Sequence, residues 1–234
     1  MENIFEDYAF GIILTIGVFI FATGLKKKFN YSIVNPVFIS LIIIVAILAI
    51  FNIDYQTYYN GGQFINMFLG PATVVLAVPL YKQIESLKKN FIAITPAIIV
   101  GSITSIVSVY LISGLFGFDE QIRISLLPKS VTTPIGMAVS EQLGGNTSIT
   151  VFAIIITGIT GALIAPCICR IFKIDDRIAK GVSIGTSSHA LGTTKAIEMG
   201  QVEGAMSGLS IGISGLITVF LANPILYVFD RVLG

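Results

Sequence analysis

The chain has 234 residues, of which 54% are hydrophobic and only 12% are charged. An ordinary soluble domain carries about 25% charged residues, so this chain lacks the polar residues that a soluble fold of its size needs. Its formal net charge of +1 creates no field that would attract DNA or RNA, and no nucleic-acid partner is expected. The composition therefore indicates a protein surrounded by membrane lipid.

Apolar segments recur along the whole chain. A helix needs about 20 apolar residues to cross the hydrocarbon core of a bilayer. Six segments meet this requirement, namely residues 8–25, 32–51, 64–81, 91–115, 147–172 and 209–229. Two others, 125–145 and 178–200, have spanning length but contain polar residues and helix breakers. We predict an all-α, polytopic membrane protein with about six full spans and two broken or re-entrant segments.

Lysine and arginine concentrate in the cytoplasmic connections of membrane proteins, which makes the topology predictable. The basic connections at 26–28, 82–89 and 170–180 should lie inside, and the acidic connection 116–123 outside. An odd number of crossings must then separate 116–123 from 170–180. Since 147–172 is uninterrupted and apolar, we expect 125–145 to enter from outside and return. Whether 178–200 spans or re-enters stays open, and so does the side of the C-terminus.

The broken segments also suggest an internal two-fold repeat within a single membrane domain, 1–234. In the halves 1–115 and 116–234, the third segment is interrupted, at Gly70-Pro71-Ala72-Thr73 and at Gly185-Thr186-Ser187-Ser188. Paired broken segments in corresponding positions are typical of transporters built from repeats. We therefore consider Gly70, Pro71 and Thr73 as gating positions. A simple proline kink explains them equally well.

The segment 127–137 places polar side chains between Pro128 and Pro134, which we assign as helix-breaking positions. These polar residues are Lys129, Ser130, Thr132 and Thr133. A lysine at the centre of a membrane helix costs about 2.5–3.5 kcal/mol. A helix that resumes at Pro134 would aim free N–H groups into the membrane, and such a helix start beside a lysine can bind a small anion. The alternative is a solvated outer loop.

The segment 185–198 contains His189, the only histidine, between Gly185 and Gly192, which we assign as further helix-breaking positions. His189 could carry a coupling proton, or it could be a structural residue bonded to a backbone carbonyl. The surrounding polar residues that we consider for substrate binding are Ser187, Ser188, Thr193, Thr194 and Lys195. Lys195 and Glu198 stand three residues apart, so a simple pair on one helix face is the alternative for both.

Glycines at every fourth position from 200 to 212 predict a groove where another helix packs, within the chain or between subunits.

Several motifs are absent from the sequence. There is no Walker-type nucleotide motif, no hydrolase signature, and a single histidine cannot assemble a metal cluster. We expect neither an enzyme nor a metal or cofactor site.

Four motifs of the chain resemble the LrgB/CidB family. They are residues 69–81 with LGPAT and AVPLY, 127–135 (LPKSVTTPI), 188–193 (SHALGT) and 203–207 (EGAMS). The resemblance covers essentially the whole chain. Carried over by position, it implicates Lys129, Ser130, Thr132, Thr133, His189 and Thr193.

This resemblance implies a multi-pass protein of the bacterial inner membrane, often paired with a small holin-like LrgA/CidA partner. The family is described as holin- or antiholin-like, modulating murein hydrolases and cell lysis, while its plant relatives translocate glycolate and glycerate. Two functions follow. The first is secondary transport of a small monocarboxylate such as glycolate, glycerate or pyruvate. We favour it because hole formation does not require a lysine and hydroxyl-bearing residues on interrupted helices. The second is a pore-former or its regulator, and a homo-oligomer is expected for either.

Overall fold

The structure, a computed structural model, describes residues 8–29, 36–68, 71, 74–75, 78, 81 and 84–233, and no strand occurs among them. The helices with continuous description are α1 (Tyr8–Phe29), α2 (Pro36–Ile50), α3 (Tyr55–Asn66), α4 (Ile84–Leu115), α5 (Glu120–Leu126), α6 (Thr133–Gln142), α7 (Thr147–Ile171), α8 (Arg177–Met199) and α9 (Gln201–Leu233). The all-α prediction is therefore confirmed. Most of the predicted span 64–81, with Gly70 and Thr73, lies outside the described residues.

Four stretches of the described chain are long and apolar enough to cross a bilayer: Tyr8–Phe29, Phe91–Leu115, Thr147–Ile171 and Gln201–Phe229. Each contains or closely matches one predicted span. The predicted span 32–51 corresponds to α2, which has 15 described residues. Many large apolar side chains of these helices are exposed, as expected for surfaces that face lipid.

The chain divides into two compact units, residues 1–74 and 75–234. In the first unit, α1 and α3 cross at Gly11 and Gly61, where a Cβ on either glycine would strike the backbone of the other helix. The Thr15 and Tyr58 hydroxyls lie 2.8 Å apart across the same contact. The stretch 52–63 holds a single charged residue, Asp54, so by the loop-charge rule it can be an outer connection, and the structure forms it mostly as the helix α3. Its 12 residues are too polar and too few to register as an apolar span.

The second unit contains three long helices and the two broken segments. The helices α4 and α9 run parallel, because Ile94 packs with Met206 near their starts, and Tyr110 stacks on Phe229 near their ends at 4.4 Å between ring centroids. The helix α9 begins at Gln201, eight residues before the predicted span. We call the end where α4, α8 and α9 begin the basic end, since it carries Lys88, Arg170, Lys173, Arg177 and Lys180. The opposite end is called the far end.

Hairpin 1, residues 125–145, leaves the far end and returns to it. The Ser125 hydroxyl accepts a hydrogen bond from the Asn146 N–H at 2.6 Å, and the Thr150 hydroxyl donates to the Ser125 carbonyl at 2.8 Å. The two ends of the segment therefore touch. The 10-residue α6 rises only about 15 Å, half of the hydrocarbon thickness. This geometry is that of a re-entrant segment, as the loop charges predict.

Hairpin 2, residues 177–199, leaves the basic end and returns to it, which answers the question that the sequence left open. The helix α8 is broken at His189, whose φ of 42° and ψ of −143° are not helical. The arm before the break, α8a (residues 177–188), places Gly185 against Ser207 of α9. The arm after it, α8b (residues 190–199), bonds Thr193 to the same Ser207 and packs Ile197 against Gly204. The two arms therefore run in opposite directions along the first turns of α9.

Candidate functional site

The tips of the two hairpins meet between α4 and α7, deep in the second unit. Lys129 and Ser130 from hairpin 1 share a cleft of 540 Å³ with Thr186 and Ser187 from hairpin 2. We call this space the main cleft. It extends toward the basic end, where Asp176 lies at its mouth. Its wall on α4 consists of small and hydroxyl-bearing residues, Ala93, Ala97, Gly101, Thr104, Ser105 and Ser108, together with Ile94.

Lys129 is the cation of this site. Its Nζ donates to the Ser130 hydroxyl at 2.9 Å, and that hydroxyl lies 3.0 Å from the hydroxyl of Ser105 on α4. In the part of the chain that the structure describes, no carboxylate contacts Lys129, whereas Lys195 forms an ion pair with Glu198. A half-buried ammonium without an acidic partner is costly at membrane depth. A bound anion would supply the missing charge.

Three buried hydroxyls near the tips have no hydrogen-bond partner in the described structure: those of Ser102, Thr132 and Thr186. Ser102 and Thr186 line a small cavity that also reaches Ser105 and Ser130. Buried hydroxyls in native proteins are nearly always satisfied by protein, water or a ligand. The tip region therefore has unused hydrogen-bonding capacity beside its cation.

A second cleft, of 420 Å³, approaches Lys129 from the other side of α8a. Lys129, Ser183 and Ser187 line both clefts, so α8a is the partition between them. The remaining walls come mainly from α7 and include Thr157, Thr160, Gly161, Ile164 and Ile168. In contrast, Leu127, Pro128 and Val131, beside Lys129 in hairpin 1, are fully buried. The lysine is thus accessible along α8a, which begins at the basic end.

Two glycines of α7 form the seat for the tip of hairpin 2. A Cβ at Gly158 would come within 2.6 Å of His189 Cε1, and a Cβ at Gly161 would overlap the Ser188 hydroxyl. On the opposite side, a Cβ at Gly101 of α4 would lie 3.0 Å from Thr186 Cγ2. Small residues on both flanking helices therefore allow the tip to approach Lys129.

His189 lies at the break of hairpin 2, with its ring directed at α7. Its Nε2–H donates to the carbonyl of Ile154 at 2.8 Å, and the ring is buried. A positive φ at a residue other than glycine is uncommon and is maintained by the surrounding packing. This carbonyl contact matches the structural alternative for His189. Its predicted part in substrate binding stays a prediction.

The structure brings only some of the predicted site residues together. Lys129, Ser130, Ser187 and Ser188 line the clefts. Other predicted residues do not line the clefts: Thr132 and Thr133 lie at the start of α6, Thr193 bonds the His189 carbonyl and Ser207, exposed Thr194 bonds the Leu191 carbonyl, and Lys195 pairs with Glu198 at 2.9 Å.

The predicted helix-breaking positions have distinct surroundings. Pro134 lies in the first turn of α6, where a missing N–H is tolerated, and Pro128 is buried just before Lys129. Gly192 brings the two arms of hairpin 2 together, since a Cβ there would lie 2.5 Å from Ser188 Cβ. Gly185 provides the contact with Ser207 on α9. Pro71 is among the described residues and is exposed, and its gating role stays a prediction.

Sequence reasoning did not select Ser102, Ser105, Gly158 or Gly161. A signal for Ser105 was present, because small and hydroxyl-bearing residues recur at 101, 104, 105 and 108, along one helix face of an apolar span. Gly158 and Gly161 of α7 stand three positions apart and share a helix face in the same way. Their importance depends on which element packs there, and this is visible only in three dimensions.

Several apolar helices and two opposed hairpins that enclose a polar interior site define a multi-pass helical membrane protein. The chain belongs to the LrgB-like family, whose model matches residues 15–228. It is 37% identical to the antiholin-like protein LrgB of Bacillus subtilis (strain 168), over 100% of both chains. It is also 37% identical to the antiholin-like protein LrgB of Bacillus mycoides (strain KBAB4), over 90% of this chain and 92% of the relative. No solved structure gives a significant match.

Proposed function

We propose that this protein transports a small monocarboxylate across the bacterial inner membrane and that the carboxylate binds at Lys129. The observation that carries this proposal is the position of Lys129. It lies where two re-entrant hairpins meet, and no acidic side chain contacts it in the described structure. Ionisable residues at membrane depth are retained for function, because they are costly to insert. A monoanion matches the single positive charge of the site.

The surrounding hydroxyls are suited to the polar part of such a solute. Ser130, Ser187 and Thr186 line the main cleft around Lys129 and can donate hydrogen bonds to carboxylate oxygens. At 540 Å³ the cleft exceeds the volume of a two- or three-carbon acid, so water would accompany the solute as far as the tips. This architecture fits a solute path that narrows at Lys129 and is closed beyond it by hairpin 1.

Regulation of membrane lesions is the second candidate, and the relatives' names favour it. The two curated relatives described above are both called antiholin-like. These names support the alternative that the sequence left open more directly than they support transport. An antiholin-like role would act through assembly in the membrane, as a homo-oligomer or with a small LrgA/CidA-like partner, and would not require a selective site for small anions.

Uptake into proteoliposomes containing the purified full-length chain tests the proposal. We expect saturable uptake of labelled glycolate or pyruvate and at least a tenfold loss in the Lys129→Gln variant. Lys88→Gln is the matched control, because it removes an exposed lysine at the basic end and should leave uptake unchanged. The same vesicles are loaded with a large dye. Dye release without saturable uptake would overturn the transport proposal and support a lesion-forming role.

A further inference from the structure

We propose that Lys129 also carries the coupling proton, so that each monocarboxylate crosses the membrane with one proton and no net charge. This inference rests on the proposed function and adds its coupling ion. The geometry behind it is a lysine that both clefts reach and that no acidic side chain contacts within the described residues. Such a lysine is charge-compensated only while an anion is bound.

The groups around Lys129 define its electrostatic environment. The wall on α4 is made of small, hydroxyl-bearing and apolar residues, and the wall on α7 has hydroxyl-bearing and apolar residues with Cys169 near its end. Hairpin 2 contributes His189 at its tip, and Asp176, the residue just before hairpin 2, lines the main cleft at the basic end. The part of α9 that reaches the small cavity contributes Thr218. No acidic group among these contacts the Lys129 ammonium.

Linkage between anion and proton follows from this environment. A charged ammonium without a counter-ion is unfavourable at membrane depth, whereas the neutral amine has a much smaller desolvation cost. A bound carboxylate compensates the ammonium, so anion binding favours protonation of Nζ. Because linkage is reciprocal, protonation strengthens anion binding by the same factor.

The transport cycle then balances in charge. A proton from water adds to the Nζ lone pair and converts the amine to an ammonium, which holds the carboxylate. After the hairpins change their exposure, the carboxylate leaves and the proton returns to water on the other side. The empty site goes back with a neutral amine. One proton and one monoanion have moved, and no cofactor or second ion takes part.

The sequence offered His189 as the proton carrier, but the geometry points to Lys129. The Nε2–H of His189 is directed to the Ile154 carbonyl, and its ring lies against the Gly158 position. Lys129 Nζ, in contrast, opens to both clefts and bonds only a neutral hydroxyl in the described structure. A second cation at His189 would also repel the ammonium of Lys129.

Proteoliposomes test the inference with labelled pyruvate as the probe, by comparing exchange with net uptake. Exchange, with equal pyruvate on both sides, requires anion binding and movement of the loaded site. Net uptake driven by a pH gradient also requires proton release. Lys129→Arg keeps a positive charge at every accessible pH. We expect this variant to retain exchange within about threefold and to lose more than tenfold of net uptake, whereas Lys129→Gln loses both.

The wild-type protein gives an independent readout. An internal pH dye should report one proton per pyruvate above the background of protein-free vesicles, and clamping the membrane potential should leave the rate unchanged. Proton-coupled net uptake by Lys129→Arg, or voltage-driven uptake without protons by the wild type, would overturn the inference. If Lys129→Arg is inactive in both assays, the proton-to-pyruvate ratio of the His189→Gln variant distinguishes Lys129 from His189 as the proton carrier. One proton per pyruvate in its remaining flux supports Lys129, and uncoupled flux identifies His189 as the carrier.

The same assays distinguish an error in the coupling mechanism from an error in the proposed transport function. If the wild type shows no saturable pyruvate flux in either assay, monocarboxylate transport itself is wrong. If saturable flux is present but carries no protons, transport stands and only the coupling at Lys129 is wrong.

Discussion

The hydroxyl of Ser105 lies 3.0 Å from the hydroxyl of Ser130, and this contact joins the long helix α4 to the tip of hairpin 1. Ser130 in turn accepts the hydrogen bond from Lys129 Nζ at 2.9 Å. The position of the cation thus depends on a helix that belongs to neither hairpin. A serine on an apolar span becomes part of the candidate site through this contact.

Ser105→Ala should weaken the apparent affinity for the transported anion about three- to tenfold. The substitution removes one hydrogen bond, worth about 1 kcal/mol, and leaves Lys129 less well positioned. Saturation curves for uptake give the measurement. Ser113→Ala is the control, since its hydroxyl bonds the Tyr110 carbonyl within the same helix, away from the clefts. Equal affinities in Ser105→Ala and the wild type would contradict a role for this contact.

Gly161→Ala should reduce transport more than tenfold, because its methyl group would occupy the space of the Ser188 hydroxyl and displace the tip of hairpin 2. Uptake assays at matched protein amounts provide the measurement. Gly208→Ala on α9 is the matched control, since nothing lies within 4 Å of its added Cβ. Unchanged uptake in Gly161→Ala would show that the tip need not be seated against α7.

Thr193→Val should destabilise the protein by about 1–3 kcal/mol, the usual cost of a buried polar group without a partner. Thr193 donates to the His189 carbonyl at 2.9 Å, and its hydroxyl lies 2.7 Å from that of Ser207. The variant therefore leaves two buried groups unpaired. Thermal unfolding in detergent measures the effect as a lower Tm. Thr194→Val, at an exposed position on the same arm, should have a much smaller effect on Tm, and equal shifts would contradict the prediction.

The topology predicts from which side introduced cysteines react. In a background with Cys167→Ser and Cys169→Ser, Arg177→Cys and Gln201→Cys should both react with an impermeant maleimide from the cytoplasmic side. Gln121→Cys and Arg231→Cys should react from outside. Labelling of intact cells and of inverted vesicles distinguishes the two sides. If Arg177→Cys and Gln201→Cys reacted from opposite sides, α8 would span the membrane and hairpin 2 would not exist.

Loop charges predicted hairpin 1 correctly but could not decide hairpin 2. Between the outer connection at 116–123 and the basic connection at 170–180 lie hairpin 1 and one clear apolar span. Only one of these two segments can cross the membrane, so hairpin 1 had to return to the side it came from. After hairpin 2 the chain contains only α9, whose last turns carry Asp230 and Arg231. One charge of each sign gives no preference for either side. The packing of both arms on α9 resolves the question.

The candidate site was predictable only in part. Lys129 and the neighbouring hydroxyls could be selected from the sequence because a charged residue in a membrane segment is energetically costly and therefore rare. The different surroundings of Ser188 and Lys195, seven residues apart, could not be predicted. The break at His189 determines which residues of the segment face the clefts, and its backbone angles depend on packing against Gly158. The helix α3 was missed for another reason: it is polar and is held against α1 through glycine contacts.

The most direct test of the central claim is equilibrium binding of labelled pyruvate and glycolate to the purified chain in lipid nanodiscs. The account predicts one saturable site per chain for at least one of these acids, lost in Lys129→Gln and retained in Lys88→Gln. Equal saturable binding by the wild type and Lys129→Gln would show that the anion binds elsewhere. Absence of saturable binding to the wild type would contradict a monocarboxylate site where the two hairpins meet.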